Sequence, residues 1–196
     1  IVAGFLSAAS TLLFSPLQAA AEQHNLGLLR GLNAPLWLAA TLGFLLADFS
    51  DYVFHRASHR FRVLWLLHSV HHSDAHLDVS TSLRQHPLSY AAIMLVRVLL
   101  VMALGAPLWS LLLRDACSIV TSHIHHAAVA WSPGVIAWTE RYIGWLIMPP
   151  AGHWLHHDPR EEYTNCNYGQ LFSFWDRLFG TYVPSTTPTA ESGLHA

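Results

Sequence analysis

Residues 51–87 read DYVFHRASHRFRVLWLLHSVHHSDAHLDVSTSLRQHP, with histidine at positions 55, 59, 68, 71, 72, 76 and 86. His55 and His59 stand four apart, which on a helix puts both on one face, one turn apart. His68, His71 and His72 follow at i, i+3 and i+4, again one helical face. His153, His156 and His157, in HWLHH, repeat that spacing further along the chain. Between the blocks lies HIHH, where His123 and His126 share a face and His125 points elsewhere. Only His24 and His195 lie outside residues 55–157, and both are expected at the surface. A lone histidine on an apolar face is ordinarily a packing or solvent-facing residue. Eight in three clusters, all at one helical spacing, need another explanation.

Neutral imidazole lends one nitrogen lone pair and suits zinc, copper, iron and nickel. Four ligands saturate one tetrahedral site, so eight converging histidines point to two ions. Carboxylate–histidine di-iron bundles use Glu and ExxH pairs. No ExxH occurs here, and the missing HExxH argues against a zinc protease. Asp51 precedes His55 by four residues, and Asp74 and Asp78 follow the second cluster. Each either holds the outer ring N–H of a ligand or serves as a cap or surface residue.

Composition sets the frame for these clusters. The 196 residues imply one domain, or two at most. Charged residues make up 11%, against roughly 25% in a soluble domain. Hydrophobic residues make up 53%, and the mean hydropathy is +0.32. There are 15 histidines against 10 cationic side chains, all arginine, and the net charge is −2. This excludes a disordered chain, a basic nucleic-acid binder and an acidic tail. Cys117 and Cys166 stand in no metal-binding spacing and are expected to be unpaired.

Four apolar segments are expected to span a bilayer: Ile1–Ala21, Ala34–Phe54, Leu88–Leu104 and Pro107–Thr121. The first reads as a span rather than a signal peptide, since no charged segment precedes it. Because the chain starts at Ile1 rather than Met, the span count is a lower bound. Gly105-Ala106-Pro107 is turn chemistry and makes the last two segments a helical hairpin. Arg97, Arg114 and Asp115 are costly in a bilayer unless paired, and an Arg97–Asp115 contact is the expected remedy. Val135–Met148 is shorter and broken by Thr139-Glu140-Arg141, so it reads as interfacial or buried. With four spans, residues 55–87 and 122–196 share a side. Arg56, Arg60, Arg62, Arg84, Arg141, Arg160 and Arg177 lie there, against Arg30 opposite, so that side is expected to be cytoplasmic.

HRASH, HSVHH and HWLHH together resemble the fatty acid hydroxylase/sterol desaturase superfamily of integral membrane enzymes. Asp51–Pro87 is similar to its first catalytic block nearly throughout. PPAGHWLHH…NCNYGQLFSFWDRLFGTYVP, Pro149–Pro184, is similar to its last. The resemblance covers roughly residues 35–184 and is nearest to the bacterial branch and to alkylglycerol monooxygenase-like members. It implies metal ligands at His55, His59, His68, His71, His72, His153, His156 and His157. His86 matches an Arg-x-His-Pro element found in many members, or else caps the third span. His126 matches the histidine that ends the fourth span, although Ala128 stands where many members have Asn. His123 supplies a further ligand from one turn earlier in this reading, and the choice among His123, His125 and His126 stays open. His76 reads as a supporting or surface residue. Asn167, Tyr168, Gly169, Trp175, Asp176 and Gly180 match closing signatures and read as packing and capping. Asn167 is near enough to the last cluster to support a ligand.

The expected fold is all-α: a multi-pass membrane protein of about four transmembrane helices in two hairpins, with a cytoplasmic, histidine-rich di-metal cap. Residues 1–184 form one domain, with catalytic blocks at 51–87 and 122–184, and residues 185–196 a disordered tail. The resemblance implies two iron ions, O2 as co-substrate and hydroxylation of a lipid C–H bond of fatty acyl, sterol or ether-lipid type. No CxxCH, Rossmann glycine fingerprint or four-cysteine run occurs, so a separate ferredoxin or cytochrome b5-type protein is expected to deliver electrons. The expected partners are the lipid substrate and the bilayer, with no nucleic acid. Trp131, Trp138, Trp145 and Trp154 are expected to anchor at the interface or to line an acyl channel. Desaturation at the same site is the alternative that the histidines do not separate. Metal transport would place ligands in mid-span rather than at span ends, which disfavours it.

Overall fold

The computed structural model describes residues 14–74 and 76–185. Most of the first expected span, and the tail beyond residue 185, lie outside them. Among the described residues there is no β-strand, only an isolated bridge between Ile147 and Phe172. The helices are α1 (residues 14–23), α2 (Leu28–Gly31), α3 (Leu36–Arg60), α4 (Arg62–His68), α5 (Pro87–Leu104) and α6 (Leu108–His126). They continue with α7 (Pro133–Tyr142), α8 (Pro150–His156), α9 (Glu161–Thr164) and α10 (Phe174–Leu178). Short 3-10 turns cover His71–Ser73 and Val79–Leu83.

The described residues fall into two compact units, divided within α3 after Asp51, within α5 before Tyr90 and within α6 after Cys117. The first unit has Ala47, Val98, Val101, Ala106 and Leu111 at its centre. α3 and α5 are each long and apolar enough to cross a membrane, with mean hydropathy 1.3 and 2.1. α6 has 19 residues and carries Arg114, Asp115 and, beyond the fourth expected span, three histidines; it is not among the described helices apolar enough over 18 residues to cross a membrane. The hairpin turn forms as expected: Gly105 takes φ +80, and the Gly105 and Ala106 N–H groups donate to the Val101 carbonyl. A left-handed residue after a helix is a glycine position. Gly27 packs so closely on it that a Cβ there would lie 2.3 Å from the Gly105 Cα.

Charges are buried in this unit while apolar side chains face outward. Arg114 is 0% exposed, whereas Leu95 and Leu99 are 48% and 56% exposed. The expected Arg97–Asp115 pair forms at 2.5 Å, and Arg97 also meets Asp51 at 3.4 Å. Arg114 donates to Asp48 at 2.8 Å and pairs with Asp51. The network joins α3, α5 and α6, and so satisfies charges that would be prohibitive alone.

The second unit carries every clustered histidine. Phe61, with extended backbone, separates α4 from the end of α3. α7 packs inside out: Glu140 on its inner side accepts from the Tyr182 hydroxyl at 2.5 Å and the Ser185 hydroxyl at 2.6 Å. Val135, Trp138 and Tyr142 are exposed, as is Trp145 just beyond the helix. The Val135–Met148 stretch is thus helical only in its first part, and no residue of that helix is buried.

Candidate metal centre

Among the described residues, nine histidines converge into two sets. His55, His59, His68, His72 and His156 form one; His71, His126, His153 and His157 form the other. Within each set the nitrogens that face one another all lie within 4.8 Å. His55 and His59 come from the end of α3, and His68 closes α4. His71 and His72 sit on the first 3-10 turn, and His126 ends α6. α8 and the residue after it supply His153, His156 and His157.

The three-histidine clusters do not act as single faces. A strict helix would put His68, His71 and His72 side by side, but α4 stops at His68 and the chain tightens into a 3-10 turn. His68 and His72 enter the five-histidine set while His71 turns to the other. His153 and His157 stay together in the four-histidine set while His156 crosses to the five. Partners at i and i+4 share a set each time, and the i+3 residue joins the neighbouring one. The sets adjoin, with His72 and His157 stacked at 4.4 Å between ring centroids.

Tautomers follow from backbone acceptors. The Nδ1–H of His55 donates to the Tyr168 carbonyl at 2.8 Å, and that of His156 to the Cys166 carbonyl at 2.7 Å. His126 donates likewise to Ser122 at 2.7 Å. A carbonyl only accepts, so Nδ1 carries the proton and Nε2 keeps a lone pair. In the four-histidine set the Nε2 atoms of His71, His153 and His157 lie 3.3, 3.2 and 3.2 Å from that of His126. A tetrahedron with ion–nitrogen bonds of ~2.0–2.1 Å has edges of ~3.3 Å. In the five-histidine set, buried Nε2 atoms of His59, His68, His72 and His156 have no hydrogen-bond partner among the described residues. Orphaned buried nitrogens are costly unless something coordinates them. Both sets therefore fit a metal ion that takes neutral nitrogen ligands.

Burial, reinforced by neighbouring imidazoles, holds His68, His71, His72, His153, His156 and His157 well below the usual histidine range. They are neutral at physiological pH, as ligands must be.

Other expected site residues belong to neither set, although His125 stacks on His153 with ring centroids 5.0 Å apart. His86 accepts the Leu88 N–H on Nδ1 at 3.2 Å, at the start of α5. His123 is half-buried, with Nδ1–H donating to the Ile119 carbonyl at 2.7 Å. His125 is buried; its Nε2–H donates to Met148 at 3.0 Å, and burial pushes its pKa down to about 4. Asp51 is engaged with Arg97 and Arg114. Asp74 pairs with Arg84 at 2.6 Å and accepts from Thr81 at 2.7 Å, whereas Asp78 caps the second 3-10 turn.

Asn167 is fully buried at φ +52. Its side chain donates to the Gly152 carbonyl at 3.0 Å and the Val183 carbonyl at 2.9 Å, and accepts the Val183 N–H at 2.9 Å. It thereby ties α8 to the closing segment. The Cys166, Tyr168 and Ser122 carbonyls that orient the imidazoles escape sequence reasoning, because a backbone oxygen carries no residue signature. The NCNYG run beside the last cluster was the available clue. Neither cysteine forms a disulfide among the described residues.

The family model described as fatty acid hydroxylase matches residues 40–181. Alkylglycerol monooxygenase of Xenopus tropicalis is 28% identical over 73% of this chain and 30% of its own length. Ornithine lipid hydroxylase of Rhizobium tropici is 28% identical over 81% of this chain and 47% of its own. A Delta(7)-sterol 5(6)-desaturase of Gibberella zeae is 25% identical over 80% and 46%. The chain thus spans about a third to a half of the length of these relatives. No solved structure matches it.

Proposed function

This chain belongs to the fatty acid hydroxylase family, and on that premise we propose that it is a membrane-bound di-iron oxidoreductase that hydroxylates a C–H bond of a lipid. The observation that carries the proposal is the pair of adjoining all-histidine sets. His55, His59, His68, His72 and His156 would hold one iron, and His71, His126, His153 and His157 the other. When bound, the irons supply O2 activation, one oxygen atom entering the C–H bond and the other leaving as water with two electrons and two protons.

The chain's own residues do the rest. Carbonyls of Tyr168, Cys166 and Ser122 fix Nδ1–H tautomers and aim Nε2 lone pairs inward. Burial of His71, His153 and His156 keeps water and protons from competing for those lone pairs. Asn167 supports α8, which with the residue after it carries three of the nine histidines. His86 and His123 remain candidate ligands in this reading only if their segments rearrange on metal binding. Electrons would come from a separate ferredoxin or cytochrome b5-type protein.

A multi-pass topology with the histidines on the cytoplasmic side draws support from the two long apolar helices and the arginine distribution. Three relatives bear names of enzymes acting on alkylglycerol, ornithine lipid and sterol, which supports a lipid substrate. The desaturase among them favours desaturation as the second reading. Lipids of cells expressing the protein under 18O2 decide between them. A labelled hydroxyl absent from the His156→Ala control is the expected result; an unlabelled new double bond would support the desaturase.

A further inference from the structure

Asp176 belongs to neither histidine set, yet it is 0% exposed and ends two hydrogen-bonded paths into one of them. Its Oδ1 accepts the Tyr168 N–H at 2.8 Å and the Thr181 hydroxyl at 2.7 Å, and its Oδ2 accepts the Gly169 N–H at 2.7 Å. The Gly169 N–H and the Tyr168 carbonyl are opposite ends of one peptide group, and that carbonyl receives the His55 Nδ1–H at 2.8 Å. Carboxylate, amide and imidazole thus stand in line. A second path runs through Thr181, whose N–H donates to the Asp176 carbonyl at 2.8 Å. The Thr181 carbonyl accepts the Asn167 N–H at 2.9 Å. The other end of that peptide is the Cys166 carbonyl, which receives the His156 Nδ1–H at 2.7 Å.

Both paths end in the five-histidine set. His126 of the four-histidine set has a separate support, the Ser122 carbonyl within α6. Position 169 suits the arrangement, since a Cβ there would lie 2.7 Å from Asp176 Oδ2 and 2.4 Å from the Phe172 carbonyl oxygen. Only glycine lets the carboxylate come this close.

We propose that Asp176 is a positioning residue for the metal of the five-histidine set, acting on His55 and His156 through the 166–169 backbone. A carboxylate bonded to an amide N–H polarises that amide and strengthens its carbonyl as an acceptor. The Tyr168 carbonyl then holds His55 as the Nδ1–H tautomer and makes its Nε2 a better donor. The inference rests on the metal-centre reading above.

Cobalt(II) titration of the full-length protein in detergent, followed by its visible absorption, tests it. His68→Ala and His153→Ala each leave one set intact and assign the two signals. Asp176→Asn should weaken the five-histidine set on the order of 10–100-fold and alter its spectrum, with the other set unchanged. Thr181→Val, which keeps the carboxylate and its two amide bonds, should weaken the same set by several-fold, and decides the matter if Asp176→Asn does not fold. Unchanged affinity at the five-histidine set, or equal weakening of both sets, would overturn the inference alone. A wild-type protein that takes no cobalt at the five-histidine set would overturn the metal-centre reading and this inference with it.

Discussion

His71 and His72 are adjacent in sequence but serve different nitrogen sets, and this shows what residue spacing carries. Spacing of i and i+4 survives into three dimensions: His55 with His59, His68 with His72, and His153 with His157. Residues i+3 and i+4 are about 100° apart around a helix, enough to send His156 and His157 to separate sets. That histidines cluster was legible from the chain; which ones cluster together depends on where α4 stops, and that is a tertiary outcome. His86 and His123 have equally suggestive neighbours, but backbone partners at Leu88 and Ile119 engage their rings instead. The neutral state of the buried imidazoles has a measurable consequence for the metal-free protein. Their folded pKa values lie below the unfolded value of about 6.5, so the unfolded chain alone takes up protons as pH falls. Stability is fully present above that value and is lost below it, at up to about 1.4 kcal/mol per histidine per pH unit. Urea midpoints of the metal-free protein should fall between pH 7.5 and 5.5; a flat or rising series would contradict the burial of neutral imidazoles.

At the scale of elements, α5 and the turn after it were readable because hydropathy and the Gly105-Ala106-Pro107 turn agree. The Arg97–Asp115 pair followed from the cost of charge in an apolar segment. The participation of Asp48, Asp51 and Arg114 was not readable, because it depends on which faces of α3 and α6 meet. Asp51 illustrates the ambiguity: its place four residues before His55 suggested support for a ligand, whereas it pairs with Arg97 and Arg114. Arg114 is the most demanding member, at 0% exposure. Arg114→Met should destabilise the protein by about 3–5 kcal/mol, since it removes the buried guanidinium that pairs with Asp48 and Asp51. Thermal unfolding in detergent checks this. A loss below about 1 kcal/mol would mean that the network contributes little.

At the scale of the whole molecule, surplus histidine and scarce charge have one explanation. Exposed leucines and buried arginines suit a chain that meets lipid, and neutral imidazoles suit metals held in a dry interior. Membership of the fatty acid hydroxylase family ties the two together. The nine converging histidines are proposed to hold two ions rather than one. Elemental analysis of purified protein tests it most directly, with wild type compared with His68→Ala and His153→Ala. Two iron ions per chain in wild type, and one in each variant, is the predicted result. A wild type holding one ion or none, or a single variant that empties both sets, would contradict it.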